Sequence, residues 1–141
     1  MTLWNAEYRV KVNGTTKTSA TLSGLTITSG RTDIYSQPIA GYCNLTLIET
    51  NEAGVDFEIN DAVTVEVKDS TGTYVNLFGG FITDLTIQVQ TSGSTATSQR
   101  INIIAVGALA RLNRAIYTGN LSQDQDGDQI YTLLSNLLIN S

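Results

Sequence analysis

Hydrophobic and polar residues alternate over most of the first two thirds of this 141-residue chain. In the segment EYRVKV, Tyr8, Val10 and Val12 alternate with charged residues, and Asn13-Gly14 follows at once. A period of two indicates a half-buried strand, and Asn-Gly after such a run favours a tight hairpin. Similar runs occur in ATLSGLTITSG, YCNLTLIE, AVTVEVK, TYVNLF, DLTIQVQ and QRINIIAVG. The pattern predicts about six or seven strands between about residues 6 and 106.

A glycine pair, Gly79-Gly80, stands inside the longest alternating segment, between Phe78 and Phe81. Glycines within a strand pattern usually mark a bulge, a bend or the close approach of another backbone. We therefore expect the glycine pair to interrupt the long strand with a structural bend at these four residues. One or both phenylalanines should fill the core there.

After Gly107 the hydrophobic period changes from two to about 3.6, which predicts helices. ALARLNRA predicts a short helix over about residues 107–115. A second, amphipathic helix is predicted over about residues 128–139. Its apolar residues recur at helical spacing: Ile130, Leu133, Leu134, Leu137 and Leu138. Together these elements predict a single, mostly β domain over residues 1–141, a small antiparallel β-barrel (split barrel) or a sandwich, with one short helix and one C-terminal amphipathic helix.

Charge and composition exclude several classes of function. Charged residues make up 15% of the chain, the net charge is −5, and the eight basic residues are scattered. Tight nucleic-acid binding depends on a concentrated positive footprint, which this sequence lacks. No run approaches the roughly 18–20 apolar residues of a membrane span, so we expect no membrane anchoring. The N-terminal residues lack the features of a secretory signal, and we expect synthesis and folding in a cytoplasm.

Candidate catalytic groups are few. The chain has no histidine, which excludes Ser-His-Asp, Cys-His and histidine-ligated zinc sites. Cys43, the only cysteine, lies in a strand-like run and is expected to be structural. An acidic connection holds possible hydrolase carboxylates, but it has the composition of a solvated loop: Glu49, Glu52, Asp56, Glu58 and Asp61. We therefore expect no enzyme activity, no catalytic residue, no metal and no cofactor.

The segment DQDGDQ has the spacing of the first half of a calcium loop, with Asp124, Asp126 and Asp128 at alternate positions. The glycine and the bidentate glutamate that such a loop needs are replaced by Gln129 and Ser135. Acidic residues are also favoured at a helix N-terminus. We expect Asp126 and Asp128 to form the cap of the second helix, and a weak calcium site is the alternative.

The most specific segment is GRTDIYSQPIAGYCNLTLIET, residues 30–50, a polar stretch that leads into a strand and contains the only proline. Because no catalytic group accompanies it, we expect a loop fixed by packing, with an Arg31–Asp33 polar contact. Tyr35 and Tyr42 flank Pro38, and we expect this aromatic edge to face a neighbouring subunit. The candidate subunit-interface residues are Arg31, Asp33, Tyr35, Pro38 and Tyr42.

This segment and TYVNLFGGFITDLTIQV together resemble the first β-barrel domain of tail hub proteins of tailed bacteriophages, also called minor tail or baseplate hub proteins. The matching pattern has three parts: a polar stretch that leads into a strand, a V-x-V-x-V strand, and an LF-x-G-x-ITD segment. The matching positions are Gly30, Arg31, Asp33, Gln37, Gly41, Leu45, Leu47, Val63, Val65, Val67, Leu77, Phe78, Gly80, Ile82, Thr83 and Asp84. The ending INIIAVGALARLNRAIY is similar to the last strand and short helix of the family. The resemblance thus covers most of the chain.

The resemblance implies a split or closed antiparallel barrel that forms a trimer or a hexameric ring at the tip of the virion tail. Such a ring joins the tail tube to tip or spike proteins, and the tape-measure protein and genome pass through it without specific binding. An acidic channel wall, which should not hold DNA, is compatible with the composition. Family members usually continue with a second barrel, so the chain is either a single-barrel member or a piece of a longer product.

A different function is also compatible with the pattern. A β-sandwich module of the tail that binds carbohydrate or a receptor would have a similar strand content. Such a module needs exposed rows of tyrosine or tryptophan in a groove. The two functions therefore differ in where the exposed aromatic residues lie and in whether the chain self-associates.

Overall fold

The computed structural model describes residues 6–31, 33–36, 39–50, 56–92, 96–112, 117–120 and 123–139. The strands and helices follow in the order β1 (Tyr8–Val12), β2 (Thr15–Thr16), β3 (Ala20–Gly30), β4 (Ile39–Glu49), β5 (Ala62–Lys68), β6 (Tyr74–Ser92), β7 (Ala96–Gly107), α1 (Leu109–Leu112) and α2 (Asp126–Ile139). The prediction of a mostly β chain with a short helix and a C-terminal helix is confirmed.

The strands form one antiparallel sheet with the order β2-β1-β5-β6-β7-β4-β3. β1 and β3 approach each other across a cleft, but no pairing joins them among the described residues, so the sheet is not closed. One reason is that the β1 edge is partly used by its own hairpin, because the Lys17 amide donates to the Val10 carbonyl oxygen at 2.9 Å. The sheet therefore has an open seam between β1 and β3, which supports the predicted split barrel only loosely.

The predicted hairpin at Asn13-Gly14 is confirmed. Both residues have positive φ values, 49° and 78°, as a tight turn between right-handed twisted strands requires. The Asn13 side chain also ties the hairpin to β5: its amide nitrogen donates to Asp61 Oδ1 at 2.8 Å, and its oxygen accepts from the Ala62 amide at 3.1 Å. The turn is thus fixed by both its local chemistry and a distant strand.

The core lies against one face of the sheet and is formed by the alternate residues of the strands. Its buried members are Val10, Val12, Cys43, Leu45, Leu47, Phe57, Val63, Val65, Phe78, Ile82, Ile101, Ile103 and Ala105. Phe57 belongs to the acidic connection that the sequence pattern indicated to be solvated. Its apolar ring packs into the core, while its neighbours Asp56 and Glu58 keep their side chains exposed.

The strand β6 changes partners at the glycine pair. Residues up to Phe81 pair with β5, and residues from Gly80 onward pair with β7. The glycines do not interrupt the strand, which runs through them for 19 residues, so the predicted interruption is corrected to a change of partner. The register shifts that accompany it lie on either side, near Leu77 and near Thr83.

Close backbone approach explains the glycines at this corner. A Cβ atom on Gly80 would overlap the Val106 carbonyl oxygen and lie 2.7 Å from Phe78 Cζ. Phe78 is buried and fills the core at the corner, as expected. Phe81 is only half-buried, and the Arg111 guanidinium carbon lies 3.2 Å from the centroid of its ring. Phe78 therefore fills the core, and Phe81 contacts Arg111 of α1.

The two helices follow the sheet. The helix α1 covers Leu109–Leu112 within the predicted range 107–115, and residues 113–115 of that range lie outside the described part. The helix α2 begins at Asp126, two residues before the predicted start. Within the described part of the chain, neither helix combines the length and apolar character needed to cross a bilayer.

Candidate functional site: an exposed loop at one end of the sheet

The loop between β3 and β4 is held by its own hydrogen bonds. Asp33 Oδ1 accepts from the Tyr35 and Ser36 amides at 2.7 and 2.9 Å, and Asp33 Oδ2 accepts from Ser36 Oγ at 2.6 Å. Arg31 donates to the carbonyl oxygen of Ile34 at 3.2 Å. An aspartate that binds the backbone two residues ahead is a common way to fix a turn. Residues 33–36 therefore form a turn that the Asp33 side chain fixes, and the expected Arg31–Asp33 contact stays a prediction.

This ordered loop presents apolar side chains to solvent. Tyr35 is 91% exposed and Ile34 is 74% exposed. Ile39 and Tyr42, at the start of β4, are exposed beside them. We call these four residues the loop patch. Several exposed apolar side chains within one short stretch of the chain favour an interaction site more than single scattered ones do.

Part of this surface was predicted from the sequence. Arg31, Asp33, Tyr35 and Tyr42 are all exposed, and Pro38 lies outside the described residues. Ile34 and Ile39 were missed, although two isoleucines within a polar loop are a signal that could have found them. Arg31 and Asp33 build the loop, whereas the tyrosines and isoleucines offer the contact surface.

A second polar feature covers the outer face of β1 and β5. Glu66 accepts hydrogen bonds from Arg9 Nε and from Lys11 Nζ, the latter at 2.9 Å. The hydrogen bond from Lys11, followed by that from Arg9, holds the pKa of the Glu66 carboxyl below its ordinary value. Because both cations of β1 share one carboxylate of β5, the cluster stabilises the pairing of the two strands.

The same face continues to β6. Glu7 accepts from the Tyr74 hydroxyl at 2.5 Å and from Lys68 Nζ at 2.9 Å, and these bonds lower its pKa, with Tyr74 the larger cause. The Arg9 guanidinium carbon lies 3.7 Å from the centroid of the Tyr74 ring. These contacts connect the segment before β1 to the hairpin between β5 and β6.

The open seam between β1 and β3 forms a cleft of about 340 Å³. Val10, Leu22 and Leu47 contribute its apolar lining, and Tyr8 and Tyr74 also border it. This volume lies at the small end of the range found for ligand pockets. The cleft is the part of the described surface that a binding module would use.

One carboxylate assigned to the acidic connection is buried, in contrast to the prediction. Glu49 is only 2% exposed and continues the buried alternation of Leu45 and Leu47 along β4, so the expectation of a solvated carboxylate was wrong for this residue. Asp61 accepts from Asn13 and from the Glu58 amide, and these bonds, first that of Asn13, lower its pKa. Glu49 is the single buried charged residue in the described part of the chain. A two-carboxylate hydrolase needs a pair in one cleft.

Cys43 lies at the centre of the core with no exposed surface. Burial raises the pKa of its thiol to about 11. The thiolate is the reactive form of cysteine, so this environment suppresses nucleophilic reactivity at neutral pH. The position supports the interpretation of Cys43 as a packing residue.

The aspartates near α2 occupy its first turn. The carbonyl oxygen of Gln125 accepts from the amides of Asp128 and Gln129 at 2.9 and 3.0 Å, so Gln125 stands at the N-cap position. Asp126 and Asp128 therefore lie inside the helix, where they favour its dipole, and not at the predicted cap position. Asp124 Oδ1 accepts from the Gln125 amide at 2.9 Å. Among the described residues, no group of three or more acidic or other ligating side chains could hold a metal ion.

Comparison with known proteins adds no family. No protein-family model matches this chain, and no curated protein matches its sequence. The function is therefore inferred from the residues and from the geometry described above.

Proposed function

We propose that this chain is a non-enzymatic structural subunit of a bacteriophage tail, which self-associates into a ring or hub at the tail tip. The loop patch is the subunit contact in this proposal. The observation that carries it is a turn, fixed by Asp33, whose apolar side chains Ile34 and Tyr35 are largely exposed. Burial of such side chains in a neighbouring subunit removes apolar surface from water, the dominant favourable contribution to most protein association.

Preorganisation of the loop favours this contact. Asp33 already fixes the backbone of Tyr35 and Ser36 in the isolated chain. Ordering a flexible loop on binding costs free energy, which a prefolded loop avoids. The loop therefore has the properties of a built contact surface.

The residues that carry the family resemblance have structural roles, which supports a structural function. Gly30 has a φ of 98°, where side chains are strained, and ends β3 before the loop. Asp33 forms the turn. Gly41 and Gly80 lie against Phe78 at the corner of the sheet. The shared motif thus encodes the loop and the corner, and none of these positions supplies reactive chemistry.

In the proposed assembly, the ring joins the tail tube to the tip or spike proteins, and the tape-measure protein and the genome pass through its lumen. A net charge of −5 per subunit supports this role, because a negatively charged wall repels the phosphate backbone of DNA. The virion tail is the proposed location, after synthesis in the cytoplasm of the bacterial host.

The Tyr35→Ala variant tests the contact. We expect it to weaken self-association by roughly tenfold, because a largely exposed aromatic anchor in an interface commonly contributes over 1 kcal/mol. Native mass spectrometry or light scattering over a concentration series measures the association, and circular dichroism measures the fold.

The Tyr131→Ala variant is the matched control, because Tyr131 is another exposed tyrosine, on α2 and not a member of the loop patch. Equal effects of the two substitutions would contradict the proposal, and so would loss of the fold in Tyr35→Ala. A wild-type chain that stays monomeric at high micromolar concentration would contradict self-association by the isolated chain.

The binding-module function has one specific observation in its favour, the cleft at the seam between β1 and β3. Tyr8 and Tyr74 border the cleft together with polar side chains such as Thr16. A monomeric protein that binds saccharides in a glycan screen, with loss of binding in Tyr8→Ala, would favour this alternative over the ring.

A further inference from the structure

The hairpin between β1 and β2 carries an asparagine whose side chain is bound at both of its polar atoms. Asn13 Nδ2 donates to Asp61 Oδ1 at 2.8 Å, and Asn13 Oδ1 accepts from the Ala62 amide at 3.1 Å. The backbone amide of Asn13 also donates to the Ala62 carbonyl oxygen at 2.8 Å. Because Val12 pairs with Val63 in the β1–β5 ladder, Asn13 extends this ladder by one position through its backbone and its side chain.

Asp61 is itself held from two directions, so it is a fixed partner for Asn13. Its Oδ2 accepts from the Glu58 amide at 2.8 Å, and its backbone carbonyl oxygen accepts from the Ile82 amide at 3.0 Å. The pKa of the Asp61 carboxyl is lowered, first by the hydrogen bond from Asn13, so the group is charged at neutral pH. The Asn13 amide group thus donates to a carboxylate that β6 and the preceding turn keep in place.

The residue after Asn13 is Gly14, and an Asn-Gly pair is chemically reactive; this one is the single such pair in the chain. The Gly14 backbone nitrogen attacks Asn13 Cγ: the N–Cγ bond forms, the Cγ–Nδ2 bond breaks, and ammonia leaves with the amide proton of Gly14. Water then opens the cyclic imide at either carbonyl, which leaves aspartate or isoaspartate at position 13. Glycine permits the attack most readily, because no side chain shields its nitrogen.

The folded structure opposes this attack. The Asn13 side chain must rotate for the Gly14 nitrogen to approach Cγ, and this rotation breaks the hydrogen bonds to Asp61 and Ala62. The reaction therefore proceeds from molecules in which the hairpin has opened locally, and its rate follows the population of that open state. Since hydrogen bonds to charged groups are among the stronger ones, the bond to Asp61 contributes much of the protection.

The product is incompatible with the contact that protects the asparagine. A carboxylate at position 13 has no donor for Asp61, and two like charges then face each other at hydrogen-bond distance, which is unfavourable. An isoaspartate also adds a carbon atom to the backbone of a turn whose φ values, 49° and 78°, suit asparagine and glycine. The same hairpin supplies Thr16 to the lining of the seam cleft, so its release alters that cleft.

We infer that Asn13 is a protected deamidation site, whose conversion to a carboxylate releases the β1–β2 hairpin from the start of β5. The reaction needs only water and is irreversible, so it accumulates with each opening of the hairpin over the lifetime of the protein. The site is separate from the loop patch and does not depend on the proposed self-association.

The rate of deamidation tests the protection. The chain is incubated in mildly alkaline buffer, either folded or in urea, and then digested with trypsin, which cleaves after Lys11 and Lys17 and releases the site in residues 12–17. Mass spectrometry measures the mass increase of the NH2-to-OH exchange in this peptide. We expect the folded chain to react at least about tenfold more slowly than the unfolded chain, and Asp61→Ala to lose most of this protection.

The matched control is Asp69→Ala, because Asp69 fixes the turn between β5 and β6 by accepting from the amides of Thr71 and Thr73. Both substitutions remove an aspartate that fixes a turn, so equal deamidation rates in the two variants would overturn the role of Asp61. A folded wild-type chain that reacts as fast as the unfolded chain would overturn the protection itself.

The release of the hairpin has its own test. Asn13→Asp imitates the product and should lower the urea midpoint of unfolding. Asn13→Asp/Asp61→Asn exchanges the two groups and should recover most of the loss, because an asparagine at position 61 donates through its nitrogen and accepts from Glu58 through its oxygen. If Asn13→Asp is as stable as the wild type, or if the double variant is no more stable than the single one, the release is overturned. Self-association enters neither readout, so the failure of this inference and the failure of the proposed ring are distinguishable.

Discussion

At the scale of single residues, Gly80 determines how two halves of the sheet meet. It lies where β6 still pairs with Val63 of β5 and already pairs with Gly107 of β7. The neighbouring backbone at Val106 occupies the space that a side chain would need. Gly79, the preceding residue, has only the amide nitrogen of Asn76 within 4 Å of a virtual Cβ, at 3.8 Å. Two adjacent glycines thus have different physical roles.

We predict that Gly80→Ala destabilises the fold by about 2–3 kcal/mol or more, the cost typical of overpacking against backbone that cannot move freely. Gly79→Ala should change stability by less than about 1 kcal/mol, because its methyl group has room. Urea denaturation followed by circular dichroism gives both values. Similar losses of stability for the two variants would contradict this prediction. They would show that the backbone freedom of glycine, and not the close approach of the Val106 backbone, explains the glycine pair.

At the scale of elements, ion pairs on the outer face stabilise the pairing of β1 with β5. Arg9 pairs with Glu66 across the two strands, and Lys11 reaches the same carboxylate from two residues further along β1. Opposite charges on neighbouring strands are a favourable cross-strand arrangement. The Glu66 side chain is only 13% exposed, which limits its screening by solvent.

The lowered pKa of Glu66 predicts how stability depends on pH. Its ordinary value is 4.5, and the folded value is lower, so this contribution is fully present above pH 4.5 and is lost as the pH falls through the folded pKa. We therefore expect Glu66→Gln to be less stable than the wild type at pH 7 and to approach it at low pH. Urea midpoints at several pH values measure the difference. Glu58→Gln, an exposed site, is the control, and a Glu66→Gln difference that does not shrink in acid would contradict the assignment.

At the scale of the whole molecule, the loop patch is apolar while the chain as a whole is acidic. The loop patch contains no charged side chain. The net charge of −5 makes copies repel one another at neutral pH. Long-range repulsion between copies of the same net charge therefore opposes association through the loop patch. Burial of apolar side chains at the contact favours it.

We predict that salt strengthens self-association of the wild-type chain. The screening length falls from about 10 Å at 0.1 M salt to about 3 Å at 1 M, which removes the repulsion between copies but leaves apolar contacts intact. Light scattering at low and high sodium chloride should show a larger mean mass at high salt. A smaller mass at high salt would indicate that charged contacts, such as those of Arg31, dominate the interface.

Residues close together in the chain were sufficient to predict the local features of this protein. The alternation of apolar residues located the long strands, and Asn13-Gly14 located the hairpin, because tight turns and strand faces depend on residues close in the chain. The buried position of Cys43 and the exposed position of Tyr35 followed from the same patterns. Tyr35 could therefore be assigned to a candidate interface from the sequence, although Ile34 and Ile39 were missed.

The tertiary structure alone decided how these elements combine. The order β2-β1-β5-β6-β7-β4-β3 brings together strands that are far apart in the chain, and a period of two does not specify which strands pair. The burial of Phe57 and Glu49 depends on strands from other parts of the sequence. The open seam between β1 and β3 also follows from this long-range order. Residues close in the chain determine on which face of a strand a side chain lies. Packing between distant strands determines which side chains it contacts.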